Sequence, residues 1–318
     1  MTAQSREGRH NRSSGPAPAF GRSGFDRSAH ERSDADLIAR LRGDASTRTL
    51  VIRGDRAQLG ADGGLRFRGG SDVADAAHWA FLGRASDGSA MLAAVLDPDA
   101  ADLPDGPWVA LRAAGAGLSA EEADAFVTAV ALGRWLSDST YCPACGAATR
   151  VQAAGWARRC DSCGREHFPR TDPAVIMAVE SSGGPDRLLL GSNVLWGLNR
   201  FSCFAGFVEA GESAEAAVAR ELLEESGIQV SDVRYCSSQA WPYPRSLMLG
   251  FRARAVADDR ARPDGDEIAA LRWFTRAEIG EALQRGAWGD DAEGDDILLP
   301  GPASIAHRLI ADWYAEAE

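Results

Sequence analysis

The sequence predicts an α+β protein, and three observations carry that prediction. Short strand-like runs and helical runs mix along the whole chain. Two Cys-x-x-Cys pairs interrupt it in the middle, and a glutamate-rich helix ending in glycine follows two apolar strands. At 318 residues the chain is long enough for more than one core.

Taken in order, residues 1–34 are rich in Ser, Gly and Arg and predict a flexible segment, with Phe20 and Phe25 available to tack part of it onto a domain. Residues 49–53 (TLVIR) and 91–96 (MLAAVL) read as strands. The alanine-rich stretch 119–136 reads as a helix, capped by Ser119 ahead of Glu121 and Glu122. This first region, 35–138, carries no cluster that suggests chemistry. The cysteine-bearing insert occupies 139–169, and the last region 170–318. There, 174–179 and 187–190 read as paired strands, and 213–226 as a helix stopped at Gly227. Strands follow at 233–237, 246–255 and 270–274, with a closing helix at 304–315.

Composition excludes some functions. No apolar stretch approaches the roughly 18–20 residues that cross a bilayer, and the polar start lacks the basic-then-apolar order of a secretory signal. A cytoplasmic protein with no membrane partner is expected. The net charge of −12 argues against a general nucleic-acid binder. It also means that an anionic substrate needs cations as intermediaries.

Cys142-x-x-Cys145-Gly146 and Cys160-x-x-Cys163-Gly164 are separated by fourteen residues. Each pair makes a tight knuckle aiming two thiolates at one ion, and two knuckles complete the closed tetrahedral shell of structural Zn²⁺. A redox Cys-x-x-Cys normally occurs once and opens a helix, so one structural zinc per chain is expected. Cys203 and Cys236 stand apart and are expected to be buried thiols.

The glutamate helix reads Gly206-x5-Glu212-x7-Arg220-Glu221-Leu222-x-Glu224-Glu225-x-Gly227. Glu-rich helices are usually solvated faces. Here Glu221 and Glu225 lie one turn apart with Glu224 beside them, and such crowding is unfavourable without a counterion. Mg²⁺ or Mn²⁺, which favour carboxylate oxygens, would supply it. Arg220 is expected to orient Glu221 through an ion pair that includes Glu212. The candidate catalytic residues are therefore Glu221, Glu224, Glu225, Arg220 and Glu212.

This pattern resembles the Nudix box at each defining position. Together with the four-cysteine insert, the run Gln239-Ala240-Trp241-Pro242-Tyr243-Pro244-Arg245-Ser246 and the segment from Phe168 to Pro173, it resembles the NADH pyrophosphatase (NudC) family of that superfamily. The resemblance implies a C-terminal α/β/α sandwich with a mixed sheet, a zinc ribbon, and an N-terminal domain of the same family. It implies metal-dependent cleavage of NAD⁺ or NADH to nicotinamide mononucleotide and AMP, and removal of NAD caps from RNA 5′ ends. The implied Mg²⁺ or Mn²⁺ ligands are Glu221, Glu225, Glu267 and the carbonyl of Ala205. The implied substrate contacts are Phe168, the Gln239–Ser246 stretch and the backbone near Ala306, in a homodimer. Ala240 replaces the family's usual Pro, Tyr243 its Phe, and Phe168 its frequent Tyr; these changes bear on affinity rather than on the reaction. Three other readings stand beside it: hydrolysis of another nucleoside diphosphate derivative, a nucleotide sensor without turnover, and a ribbon that docks a partner through Arg150, Arg158, Arg159 and Arg165.

Overall fold

The computed structural model describes residues 24–316 apart from 74–75, 101–102, 105, 185, 197–198 and 286–295. Two six-stranded mixed sheets flank a three-stranded ribbon. In the first sheet the strands run Ala76–Arg84, Ala90–Leu96, Arg48–Arg53, Arg56–Gln58, Trp108–Ala110, with Phe67–Arg68 beside Arg48–Arg53. The helix Ala120–Asp138 packs on it. Its start is fixed by Ser119, whose Oγ accepts from the Glu122 amide at 3.3 Å while Glu122 Oε2 accepts from the Ser119 amide at 3.1 Å. Phe126, Val130 and Leu136 then bury against Leu50, Ile52 and Val95.

The flexible segment expected at 1–34 needs correction at its end; Phe20 lies outside the described residues. From Gly24 onward the chain is packed, with Phe25 buried and Asp26 bridged to Arg84 through both backbone amides. Arg84 adds a two-pronged bond to Glu31, which holds the Glu31 carboxyl below its usual range.

The second sheet runs Val230–Trp241, Ser246–Ala255, Asp172–Glu180, Arg187–Asn193, Ile268–Thr275, with Phe204–Phe207 beside Asp172–Glu180. Asp172–Glu180 is parallel to Ser246–Ala255 and antiparallel to its other partners. Its side chains alternate, as the period of a strand requires. Val175, Met177 and Val179 face the helix Ala214–Ser226 through Ala217, Val218 and Leu222. Ile176 and Ala178 face the helices Arg276–Arg285 and Ile305–Ala315 through Ile279, Leu309 and Trp313. The result is an α/β/α sandwich. No helix among the described residues is long and apolar enough to cross a membrane.

The ribbon is tied to the first domain. Trp156 Nε1 donates to the Phe81 carbonyl at 2.7 Å, and Arg158 donates to the Leu136 carbonyl at the end of the long helix. Arg158 is therefore buried rather than part of an exposed basic docking face, while Arg150 pairs with Asp161 and Arg159 with Glu166. Cys236 also departs from expectation: it is exposed, whereas Cys203 is buried.

Candidate active site

The four ribbon thiols come together first. Each knuckle closes by the same backbone bonds: Gly146 N to Cys142 O at 2.8 Å and Gly164 N to Cys160 O at 3.0 Å. Both glycines adopt φ near 73°, a left-handed turn that other residues resist. Sulfurs about 2.3 Å from a tetrahedral ion sit ~3.8 Å apart. Cys142–Cys163 and Cys145–Cys160 are 3.7 and 3.4 Å apart, so the four residues fit one zinc. The Cys163 amide donates to Cys160 Sγ, and it lowers that thiol to about 6. His167 Nε2 lies 3.3 Å from Cys142 Sγ and braces the ribbon from outside. Sequence reading missed His167, whose position four residues after Cys163 was the available signal.

The glutamate helix is set by its ends. Ser213 Oγ accepts from the Ala216 amide at 3.2 Å, and Gly227 closes the other end at φ 67°. Between them Arg220 organises the carboxylates. Its Nε and Nη2 donate to the two oxygens of Glu212 at 2.9 and 2.8 Å, its Nη1 to Glu221 at 2.9 Å and Glu224 at 3.1 Å, and its Nη2 to the Phe207 carbonyl at 2.9 Å. The Arg220 guanidinium holds Glu212 below the usual carboxylate range. Glu224 is exposed and lies outside the lining of the cleft beside the helix.

That cleft, of about 490 Å³, is lined by Ala205, Gly206, Glu221, Glu225 and Glu267, and also by Trp241, Tyr243 and Ser246. Glu225 is buried, and its Oε2 has no hydrogen-bond partner. Burial first, and then Glu267, Glu221 and Asp264, raise its carboxyl to about 8. Burial also raises Glu221, against the pull of Arg220. An orphaned carboxylate oxygen among other carboxylates is what a divalent cation satisfies. Among the described residues only the cysteines bring three or more ligand atoms within 4.8 Å of one another. The glutamates instead line an open cleft, which suits a hard cation that keeps waters and takes phosphate oxygens.

The remaining expected contacts divide. Gln239 is buried and its amide is taken by backbone: Nε2 donates to the Ala303 carbonyl at 2.7 Å and Oε1 accepts from the Ile305 amide at 2.8 Å. It sets the start of the helix that carries Ala306, itself buried and outside the cleft lining. Gln239, Ala240 and Trp241 belong to a strand, so the loop is confined to Pro242, Tyr243, Pro244 and Arg245. Arg245 pairs with Asp172 at 2.7 Å. Phe168 is 57% exposed and lies in a different, larger groove of about 720 Å³ with Trp79 and Arg150, away from the glutamates.

Family models match in three consecutive pieces: an NADH pyrophosphatase-like rudimentary NUDIX domain over 35–135, an NADH pyrophosphatase zinc ribbon over 137–168, and a NUDIX domain over 170–293. The chain is 40% identical over 311 residues to the NAD-capped RNA hydrolase NudC of Mycobacterium tuberculosis, covering 94% of this chain and 95% of the relative. The chain belongs to the NudC family of Nudix hydrolases. The NAD-capped RNA hydrolase NUDT12 of Homo sapiens is 37% identical over 204 residues, covering 62% of this chain and 42% of that one. Both six-stranded sheets accord with these matches, since the first region matches a rudimentary NUDIX domain and the last a NUDIX domain.

Within this NudC-family chain the structure also brings forward Asp264, which no motif marked. Its Oδ1 accepts from the Ile268 amide at 2.8 Å and from Glu267 at 3.2 Å, bending the loop that presents Glu267.

Proposed function

We propose that this chain hydrolyses the pyrophosphate bond of NAD⁺ or NADH, giving nicotinamide mononucleotide and AMP, and removes NAD caps from RNA 5′ ends, using Mg²⁺ or Mn²⁺. The observation that carries it is one cleft lined by Glu221, Glu267 and Glu225, whose Oε2 has no hydrogen-bond partner, together with Trp241. Glu221, Glu225, Glu267 and the Ala205 carbonyl would hold the ion. When bound, it neutralises the linked phosphates and makes water a better nucleophile. Arg220 fixes the Glu221 carboxylate at the cleft wall, and Gly206 leaves the room that carboxylate occupies. Trp241 offers a flat face for a purine or nicotinamide ring. The two relatives named above support the RNA role, since both are NAD-capped RNA hydrolases.

The test is product analysis by mass after incubation with NADH, ADP-ribose and diadenosine polyphosphates in Mn²⁺. AMP and reduced nicotinamide mononucleotide are the expected fastest products. Faster release from another nucleoside diphosphate derivative would replace NADH as the substrate, and indifference to NAD-capped RNA would remove the RNA role.

A cytoplasmic homodimer is part of the same proposal. Phe168 supports it, because within one chain this exposed ring does not line the glutamate cleft and a second copy could bring it there. Light scattering is expected at twice the chain mass; a monomer at assay concentration would contradict the shared site.

A further inference from the structure

Tyr243 shares the cleft with the glutamates, but it is anchored from the other side. Tyr243, Trp241 and Ala240 pack against the core of the N-terminal domain, alongside Phe126, Val130 and Leu111. Arg134, on the long helix of that domain, donates from Nη1 to the Pro242 carbonyl at 2.8 Å. Its guanidinium also lies 5.1 Å from the centre of the Tyr243 ring, and that of Arg112 lies 5.3 Å away. Tyr243 in turn meets Trp241, with ring centres 5.2 Å apart. A charged donor on a buried proline carbonyl, with cations against an aromatic ring, fixes a short turn far better than its own backbone does.

We infer that Arg134 is a positioning residue for dinucleotide binding. Through it the N-terminal domain holds the turn 242–245 and the Trp241 ring in the substrate-receiving position. Arg134 does not itself line the cleft and meets it only through the Tyr243 ring and the Pro242 carbonyl. Its loss therefore acts on substrate binding and leaves the carboxylates as they are. This inference rests on the proposed dinucleotide hydrolysis and assigns a task to the N-terminal domain within it.

The experiment compares full-length wild type, Arg134→Met and Arg134→Lys with NADH in Mn²⁺. Methionine keeps the stem packing and removes the donor and the charge; lysine keeps both as a point charge. Arg134→Met should raise KM about ten-fold with kcat within about three-fold of wild type, the size expected for losing one charged hydrogen bond. Mn²⁺ affinity should stay unchanged and Arg134→Lys should recover part of the KM. An unchanged KM in Arg134→Met overturns the assignment. So does a joint fall of kcat and Mn²⁺ affinity without recovery in Arg134→Lys, which marks a merely structural role. If wild type itself leaves NADH intact, the proposed function has failed, and the assignment falls with it.

Discussion

Glu225→Gln is expected to lower kcat on NADH by on the order of 10³-fold while leaving NADH binding measurable, because it removes a charge aimed at the cation and not a contact to the bases. The same variant should be more heat-stable than wild type in chelator at pH 8. The sign follows from the raised carboxyl. Glu225 is pushed up to about 8 against an ordinary 4.5. Its burial is harmless below the ordinary value, where both folded and unfolded chains carry the proton. Stability is then lost as pH rises from that value through about 8, because the fold holds a proton that the unfolded chain releases. Glutamine stays neutral, so it escapes the loss, and the gap in melting temperature between variant and wild type should close near pH 4. Cations bind the ionised form, so added Mn²⁺ should stabilise wild type more at pH 8 than at pH 6. A melting temperature of wild type that exceeds the variant's at pH 8 in chelator would contradict this account of the site.

Gly206→Ala should also be damaging, for a different reason. A methyl group at 206 would fall 2.0–2.3 Å from the carboxylate atoms of Glu221. Those atoms are the end of a flexible side chain and the position needs no left-handed backbone, so the protein should fold. The carboxylate must move, and it takes with it the bond from Arg220 Nη1. A shift of about 1 Å in such a group commonly costs ~10²-fold in rate. The expected outcome is a loss of about that size in kcat/KM with a melting temperature within a few degrees of wild type. Full activity in a folded Gly206→Ala would show that Glu221 is not held where the structure places it.

These two residues also show what could be read from sequence. The helix was legible because its cap, its charge spacing and its glycine stop are all local: Ser213, Arg220 and Gly227 lie within one element. The ribbon was legible for the same reason, since each knuckle is a closed local turn. What could not be read depends on chain segments far apart. Arg134 meets Pro242 across 108 residues, and nothing near either one signals the pairing. Gln239 sits in a run that looks made for ligand, yet Ala303 and Ile305 claim its amide. The strand Ala76–Arg84 also gave no signal, because its buried residues come as a continuous block rather than in alternation. Glu224 stood beside Glu221 and Glu225 in the spacing, yet it is exposed and lies outside the cleft lining.

The central claim is that the carboxylates lining this cleft, buried Glu225 among them, gather divalent cations for a pyrophosphate. Anomalous scattering from crystals soaked in Mn²⁺ tests it most directly. A manganese peak is expected within bonding distance of Glu225 and Glu221, facing Glu267 and the Ala205 carbonyl, and absent in Glu225→Gln. Manganese found only elsewhere on the surface, with the glutamate oxygens bare in the wild type, would contradict it.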